Sequence, residues 1–349
     1  MTLQKEYDFV FLTNTPSFYK LNLCKEITGA GKSLLLVLYG YGSDAVNKEL
    51  QGSNKSFDFI FLHNGDINRR NKVKVFARLV SLMSKIKANR VLFSGWVSPE
   101  YNLYSMISPK KRNAIISESA IWDIDMRGIK GWIKRRIIRR MSAALPSGIP
   151  HKEFFVQLGY PSKCNITGSV GILNKSDNKG TKRINHPLRY LFVGRLIELK
   201  NLRLLVDVFN RNEKPLTIVG AGELEKELKA VAKPNISFSG FVDNEKIGQI
   251  YQSHDVFILP SYSETWGLVV EEAIYWGLPV IVSNRVGCGQ DMVTQLGTGV
   301  IFNSESADDL NDKISMIETN YQSYFDAVAK VDFNKRAENQ VNAYIDLLQ

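Results

Sequence analysis

Residues 254–283 read HDVFILPSYSETWGLVVEEAIYWGLPVIVS, and the pattern of this stretch decides the fold class. HDVFIL (254–259) and PVIVS (279–283) are short, continuous apolar runs, while 267–276 spaces its apolar residues at helical intervals. Strand, loop, helix, strand is a βαβ unit, with parallel strands covered on both faces. Working outward, the same grammar recurs at 188–193, 215–219, 235–239 and 299–302, with helical patterns at 201–210, 222–232 and 243–253. In the first half the runs are 7–13 (YDFVFLT), 33–39, 57–63, 90–94, 113–117 and 143–147. The segment 173–187, LNKSDNKGTKRINHP, is polar, rich in turn-formers and without periodicity, so it reads as a linker. The expectation is two doubly wound α/β domains, at 1–175 and 176–332, each long enough to bury its own core. Residues 306–349 read as two or three further helices, the last at 333–347.

Composition narrows the function classes. A hydrophobic share of 44% with 23% charged residues is that of an ordinary globular protein. No apolar run approaches the ~20 residues needed to span a bilayer. The opening MTLQKEYDFVFLTN lacks the basic start, apolar stretch and cleavage site of a secretory signal. Cys24, Cys164 and Cys288 are odd in number and lack metal-ligand spacing, so reduced thiols and a cytoplasmic location are expected. The glycosylation sequon at Asn165 then carries no meaning. Charge is unevenly divided: residues 1–175 hold 27 Lys and Arg against 12 Asp and Glu, and the remainder holds 18 against 23. A strongly basic first half suggests an anionic partner: a nucleic acid, a phosphorylated substrate or a membrane surface. With no recognition motif and no aromatic stacking set on a basic surface, nucleic acid is not expected.

Ligands of open α/β sheets bind outside the carboxyl ends of the strands, so the residues after each strand are the ones to read. After 188–193 come Gly194 and Arg195, then Lys200; after 215–219 come Gly220 and Gly222; after 254–259 come Glu264 and Gly267, then a helix carrying Glu271 and Glu272. Arg195 can grip phosphate oxygens with its planar fork, and Lys200 adds a point charge. The helix beginning near Gly267 adds free N–H groups and a partial positive charge. Ionised carboxylates are the strongest side-chain acceptors for sugar hydroxyls, and Glu264 and Glu272 can address different parts of one extended ligand. The set suits a phosphorylated polyhydroxyl compound, and its cations and helix N-terminus can neutralise a departing diphosphate without metal.

The run PSYSETWGLVVEEAIYWGLPVIVSNRVGCGQDMV (260–293) resembles the signature of family 4 of the glycosyltransferases, including its two glutamates separated by seven residues. VGRLIELKNLRLLVDVF (193–209) is similar to that family's Gly-Arg…Lys phosphate motif, and LTIVGAGELEKEL (216–228) and ISFSGFV (236–242) follow in the expected order. The resemblance is close over about 188–302; the first half matches in general pattern alone. It implies the GT-B fold, two Rossmann-like domains with a cleft between them, and a last helix packing back on the first domain. It further implies a retaining, metal-independent transfer of sugar from a nucleotide diphosphate sugar, with no cofactor. Arg195 and Lys200 would bind the diphosphate, Glu272 the ribose and Glu264 the donor sugar. The main chain of Phe241 and Val242 would lie near the base, and the amides of Trp266, Gly267 and Leu268 near the phosphates and sugar. Glu271 stands where the family usually has a neutral residue, and its helical position is expected to point it at solvent.

The first domain should bind the acceptor, a saccharide or lipid-linked saccharide of surface polysaccharide synthesis such as O-antigen, capsule or lipopolysaccharide. Thr15, Ser17, Trp96 and Glu118 follow strands there and are the acceptor-side candidates. Residues 130–141, KGWIKRRIIRRM, interleave cations with Trp132, Ile133, Ile137 and Met141. As a helix, this stretch could lay those four side chains on an anionic inner leaflet, or pack them on the first domain's sheet and leave only the cations in water. Asp123 and Asp125 have the spacing of a metal-binding pair without supporting context, and read as loop. His63, His151, His186 and His254 are scattered, His63 being the best placed for chemistry. A sugar-nucleotide epimerase or hydrolase of the same fold, or a non-catalytic nucleotide-sugar-binding protein, are the alternatives. The former should lack the paired glutamates; the complete set of Arg195, Lys200, Glu264 and Glu272 argues against the latter.

Overall fold

The computed structural model describes residues 5–41, 44–52, 56–63, 65–96, 98–120, 122, 128–160, 163–176 and 184–349. Asp123 and Asp125, and residues 177–183 of the polar linker, lie outside the described residues. The chain divides into two compact units, one of Met1–Asn174 with Asn334–Gln349 and the other of Lys175–Phe333.

In the first unit, strands β1 (Lys5–Thr13), β2 (Leu34–Leu38), β3 (Asp58–Phe61), β4 (Ile86–Ser94), β5 (Asn113–Ser117), β6 (Ala143–Pro146) and β7 (Lys163–Cys164) form one parallel sheet. Their order is β3-β2-β1-β4-β5-β6-β7. The crossovers carry α1 (Phe18–Gly29), α2 (Asp44–Gly52), α3 (Lys72–Ser84), α4 (Pro99–Ile107), α5 (Gly128–Ile138) and α6 (Ile149–Gln157). The continuous apolar strands have both faces covered. Phe9 and Phe11 pack with Leu21, Ile27 and Tyr344 on one face, and Val10 and Leu12 with Leu79 and Phe154 on the other. The C-terminal helix α13 (Phe333–Ile345) joins the first of these cores through Val341 and Tyr344, and the Gln340 amide donates to the Ser169 carbonyl at 2.8 Å.

The second unit repeats the plan. Strands β8 (Tyr190–Val193), β9 (Leu216–Val219), β10 (Ile236–Gly240), β11 (Val256–Leu259), β12 (Val280–Ser283) and β13 (Gly299–Phe302) lie parallel in the order β10-β9-β8-β11-β12-β13. Helices α7 (Leu202–Asn212), α8 (Glu225–Val231), α9 (Asn244–Gln252), α10 (Leu268–Tyr275), α11 (Ala307–Thr319) and α12 (Tyr321–Ala329) accompany them. The order reverses between β1 and β4 in one sheet and between β8 and β11 in the other, which marks the ligand crevice of each.

Two expectations are refined. Strand β7 is absent from the sequence reading because it is two residues long and is held only by pairing with Ala143 and Ala144. Strand β4 begins at Ile86 rather than at 90, because Lys87 and Ala88 pair with Glu6 and Tyr7 at the polar start of β1. No helix among the described residues is long and apolar enough to cross a membrane.

Candidate active site

The second unit's crevice is built by the loops after β8 and β11, tied to each other where the Tyr262 amide donates to the Leu199 carbonyl at 2.9 Å. Two glycines let the strand ends converge there. A Cβ on Gly220 would sit 1.8 Å from the Gly194 carbonyl, and one on Gly222 would sit 2.3 Å from that of Leu196. The Gly220–Gly222 pair is therefore fixed by the close approach of two main chains, in keeping with its reading as a strand-to-helix turn.

Arg195 leaves the end of β8 exposed, and among the described residues its guanidinium has no ion-pair partner. Lys200 closes a short 3₁₀ turn, Glu198–Lys200, and its ammonium forms an ion pair with Glu264. Glu264 sits in the loop after β11, where it forms an isolated parallel bridge with Val286. Its amide donates to the Arg285 carbonyl at 3.0 Å, and its carbonyl accepts from Gly287 at 2.9 Å. One turn on, the Cys288 amide donates to the Trp266 carbonyl at 2.9 Å, so the glutamate loop is stitched to the loop after β12. Gly267 then opens α10 at φ 103°, in the left-handed region that favours glycine. An added Cβ there would lie 3.1 Å from Val286 and 3.4 Å from the Cys288 sulfur. At the start of α10 the Val270 amide donates to the Gly267 carbonyl at 2.9 Å, and the Leu268 and Val269 amides before it have no acceptor inside the helix, so the helix end presents a partial positive charge.

Glu272 lies one turn into α10, half-buried, and accepts from the Tyr251 hydroxyl at 3.0 Å. Burial pushes its carboxyl up to about 7; the Tyr251 hydrogen bond opposes the rise and the adjacent Glu271 carboxylate adds to it. Phe241, just past β10, is 75% exposed, and Val242 beside it is half-buried. The structure thus brings Arg195, Lys200, Glu264, Trp266, Gly267, Leu268 and Glu272 to one end of one sheet, with Phe241 and Val242 after a neighbouring strand.

The expectation for Glu271 is overturned. It is 3% exposed, and it accepts a hydrogen bond from the indole N–H of Trp266, itself 2% exposed. At i+5 from Trp266 it lies on the core side of α10, where helical spacing alone had suggested solvent. Trp266 can accordingly offer a ligand only main-chain atoms. Tyr251 was missed as well, since a tyrosine near the end of an ordinary amphipathic helix carries no motif.

In the first unit, Thr15 and Ser17 lie after β1, Trp96 after β4 and Glu118 after β5, all half-buried. Glu118 pairs with Lys20 at 3.1 Å, a cation the sequence reading did not single out. The Ser98 hydroxyl bonds to the Asn14 side chain and joins the loops after β1 and β4. His254 is buried, with its ring nitrogens 2.8 Å from the Thr217 hydroxyl and 2.7 Å from the Ile250 carbonyl, and His151 is buried in the first unit. Neither is placed for chemistry at the crevice. Ile137 and Met141 are 5% and 1% exposed, so the reading that turned them toward lipid is corrected. The three cysteines are free, Cys24 and Cys288 buried.

Residues 174–338 match the family described as glycosyl transferases group 1. An uncharacterized glycosyltransferase of Methanocaldococcus jannaschii, MJ1607, is 26% identical over 215 residues, covering 57% of this chain and 52% of that protein. The D-rhamnosyltransferase WbpZ of Pseudomonas aeruginosa is 34% identical over 134 residues, 35% of each chain. The chain therefore spans about half the length of the first relative and a third of the second. Among solved structures, the apo lipopolysaccharide outer core galactosyltransferase WaaB superposes with a TM-score of 0.73 at 15% identity, over 97% of this chain and 99% of that one. At that identity the likeness is one of fold.

Proposed function

We propose, from the premise that residues 174–338 belong to the glycosyl transferases group 1 family, that this GT-B chain transfers a sugar from a nucleotide diphosphate sugar to a saccharide or lipid-linked saccharide acceptor. The observation that carries the proposal is the convergence of Arg195, without an ion-pair partner among the described residues, the Lys200–Glu264 pair, the α10 N-terminus and Glu272 at one strand-order reversal. The diphosphate is held by Arg195, Lys200 and the α10 amides. A phosphate arriving at Lys200 competes with Glu264 for the cation and frees that carboxylate to accept from donor-sugar hydroxyls. Ionised Glu272 accepts from the ribose. Transfer is retaining: the bond from the anomeric carbon to the diphosphate oxygen breaks, and the acceptor oxygen bonds to the same face. The departing diphosphate takes the acceptor's proton, and the protein cations stabilise its charge in place of a metal.

The acceptor belongs to the first unit, through the loops bearing Thr15, Ser17, Trp96 and Glu118. Surface-polysaccharide synthesis is the expected setting, supported by likeness to the O-antigen chain mannosyltransferase C of Escherichia coli, 31% identical over 112 residues. A cytoplasmic, membrane-peripheral location is supported by α5. Ile129, Trp132 and Ile133 are 77%, 61% and 45% exposed, at helical spacing beside exposed Lys130, Arg136 and Arg139.

The test is a thermal-shift screen of the full chain against UDP, GDP, ADP, CMP and their sugar conjugates, with and without EDTA. One nucleoside diphosphate should raise the melting temperature equally in both conditions. Arg195→Ala and Glu272→Ala should each weaken its binding by about tenfold or more while leaving the fold intact. A shift that requires a divalent cation would remove the metal-free reading, and wild-type affinity in both variants would remove the site.

A further inference from the structure

Glu271 has no part in the donor contacts assigned above, yet it is one of the few carboxylates buried in the second unit. A buried carboxylate is retained where its oxygens hold something, because burial of the charge is otherwise costly. What Glu271 holds is the indole N–H of Trp266. Trp266 lies two residues after Glu264 and directly before the Gly267 cap of α10, so the bond closes a loop of six residues from the turn back onto its own helix. Other fixtures of that turn include the main-chain bonds of Glu264 to Arg285 and Gly287 and of Trp266 to Cys288, the Cys288 thiol on the Gly267 carbonyl at 3.8 Å, and the ion pair of Glu264 with Lys200. Those bonds set the path of the turn. The indole–carboxylate bond adds a buried side-chain fixture between the turn and its helix, two residues from Glu264, whose carboxylate is paired with Lys200. Glu272, next in sequence, faces Tyr251 on the other side. The two adjacent glutamates are thus divided between turn and ribose side.

We propose that Glu271 is a positioning residue of the donor site, acting through Trp266 to aim Glu264 at the donor sugar. The proposal rests on the nucleotide-sugar reading above and deepens it. It makes a specific demand on the ligand: the Arg195 and Glu272 contacts to diphosphate and ribose are made from outside the turn, whereas the Glu264 contact to the sugar is made from the turn itself. Loss of the bond should therefore weaken the sugar's contribution to binding and spare the nucleotide's.

The experiment measures, by calorimetry on the full chain, the nucleoside diphosphate that binds best among UDP, GDP and ADP, and its hexose conjugates. Glu271→Leu should bind the bare nucleotide within about threefold of wild type and the preferred conjugate about tenfold more weakly. Glu271→Gln, whose carbonyl still accepts from the indole, should restore both to within about threefold. Trp266→Phe, which removes the donor and leaves the carboxylate, should reproduce the Leu pattern and stands in if Glu271→Leu does not fold. The Trp266 indole N–H resonance, assigned from Trp266→Phe, should lie downfield in wild type and move upfield in Glu271→Leu. Equal losses for nucleotide and conjugate would reduce Glu271 to a structural residue and overturn the proposal, as would wild-type binding of both. A wild-type chain that binds none of the nucleotides would instead bring down the donor-site reading, and this proposal with it.

Discussion

The two units use one plan and finish it differently. Each has a parallel sheet whose order reverses beside its first strand, and each ties together the loops that flank the reversal. In the second unit those loops end in charge that is exposed or loosely matched: Arg195 without an ion-pair partner among the described residues, Lys200 with Glu264, and a carboxyl at Glu272 raised toward neutrality. In the first unit one cluster of polar groups near the reversal is spent on itself, while the Ser17 hydroxyl and the Trp96 indole N–H, after β1 and β4, are buried without a hydrogen-bond partner among the described residues. Arg70 donates to Glu100 at 2.8 and 3.2 Å, and Tyr39 donates to Glu100 at 3.0 Å. Tyr39 stacks on Tyr101 at 4.2 Å, and the Tyr101 hydroxyl closes on the Thr13 carbonyl at 3.0 Å. A network satisfied in this way rigidifies a crevice, and one left partly unsatisfied is poised to bind. The contrast teaches where to look for a ligand of fixed chemistry: where buried or clustered charge lacks its full set of partners.

Breaking the satisfied network should give the largest effect. Glu100 is 1% exposed, so Glu100→Ala strands the Arg70 guanidinium and the Tyr39 hydroxyl and should cost about 3 kcal/mol. Hydrogen exchange of the β1 and β2 amides would register the loss, while the nucleotide-induced thermal shift persists. A nucleotide response that vanished along with it would mean the two crevices are not separable in this way.

The same two carboxylates sharpen the comparison through pH. Burial pushes the Glu100 carboxyl upward, but Arg70 and Tyr39 outweigh it and hold the group below its ordinary range. Its stabilisation is present above its unfolded pKa near 4.5 and is lost as pH falls through its lower folded value. Glu272 runs the other way. Its folded pKa, about 7, lies above the unfolded 4.5, so its stabilising contribution is complete below 4.5 and is lost as pH rises through 7. The proposed ribose contact uses the ionised form, so nucleotide affinity should rise about tenfold between pH 6 and 8. Glu272→Gln should flatten both the stability slope and the extra binding slope, and it controls for ionisation of the nucleotide's own phosphate. Identical pH profiles for wild type and Glu272→Gln would show that the carboxyl is not the titrating group.

What was legible in the sequence follows the same division. Apolar runs such as 254–259 and 279–283 announce buried parallel strands because both faces must be covered, and all twelve such runs are strands here. Arg195, Lys200, Glu264 and Glu272 could be read because fixed ligand chemistry ties residue type to place after a strand. Glu271 could not, since helical spacing cannot tell a buried acceptor from a solvated one without knowing that an indole stands five residues earlier. The partnership of Lys20 with Glu118 was equally hidden, because it joins residues on different βα crossovers whose contact only the tertiary fold creates. In α5 the periodicity was visible but its phase was not: the sheet claims Ile137 and Ile138 and leaves Ile129, Trp132 and Ile133 outside.

That phase gives the last and smallest test. The core face of α5 is satisfied by the sheet, whereas its outer face sets three large apolar side chains among Lys130, Arg136 and Arg139. On the neighbouring α4, Leu103 and Ile107 are 58% and 61% exposed. Apolar side chains ringed by cations match an anionic bilayer surface, where each basic residue adds about 1 kcal/mol and shallow insertion adds the apolar burial. The full chain should co-sediment with vesicles of phosphatidylglycerol and phosphatidylcholine, and much less with phosphatidylcholine alone. Trp132→Glu should lower the partition about tenfold without altering the nucleotide shift, since the side chain is 61% exposed and belongs to the first unit, not to the donor crevice. Raising salt should weaken wild type on anionic vesicles by screening the cations. If Trp132→Glu partitions as wild type does, the outer face of α5 is a solvated face, and the basic charge of the first half has to be explained by the acceptor instead.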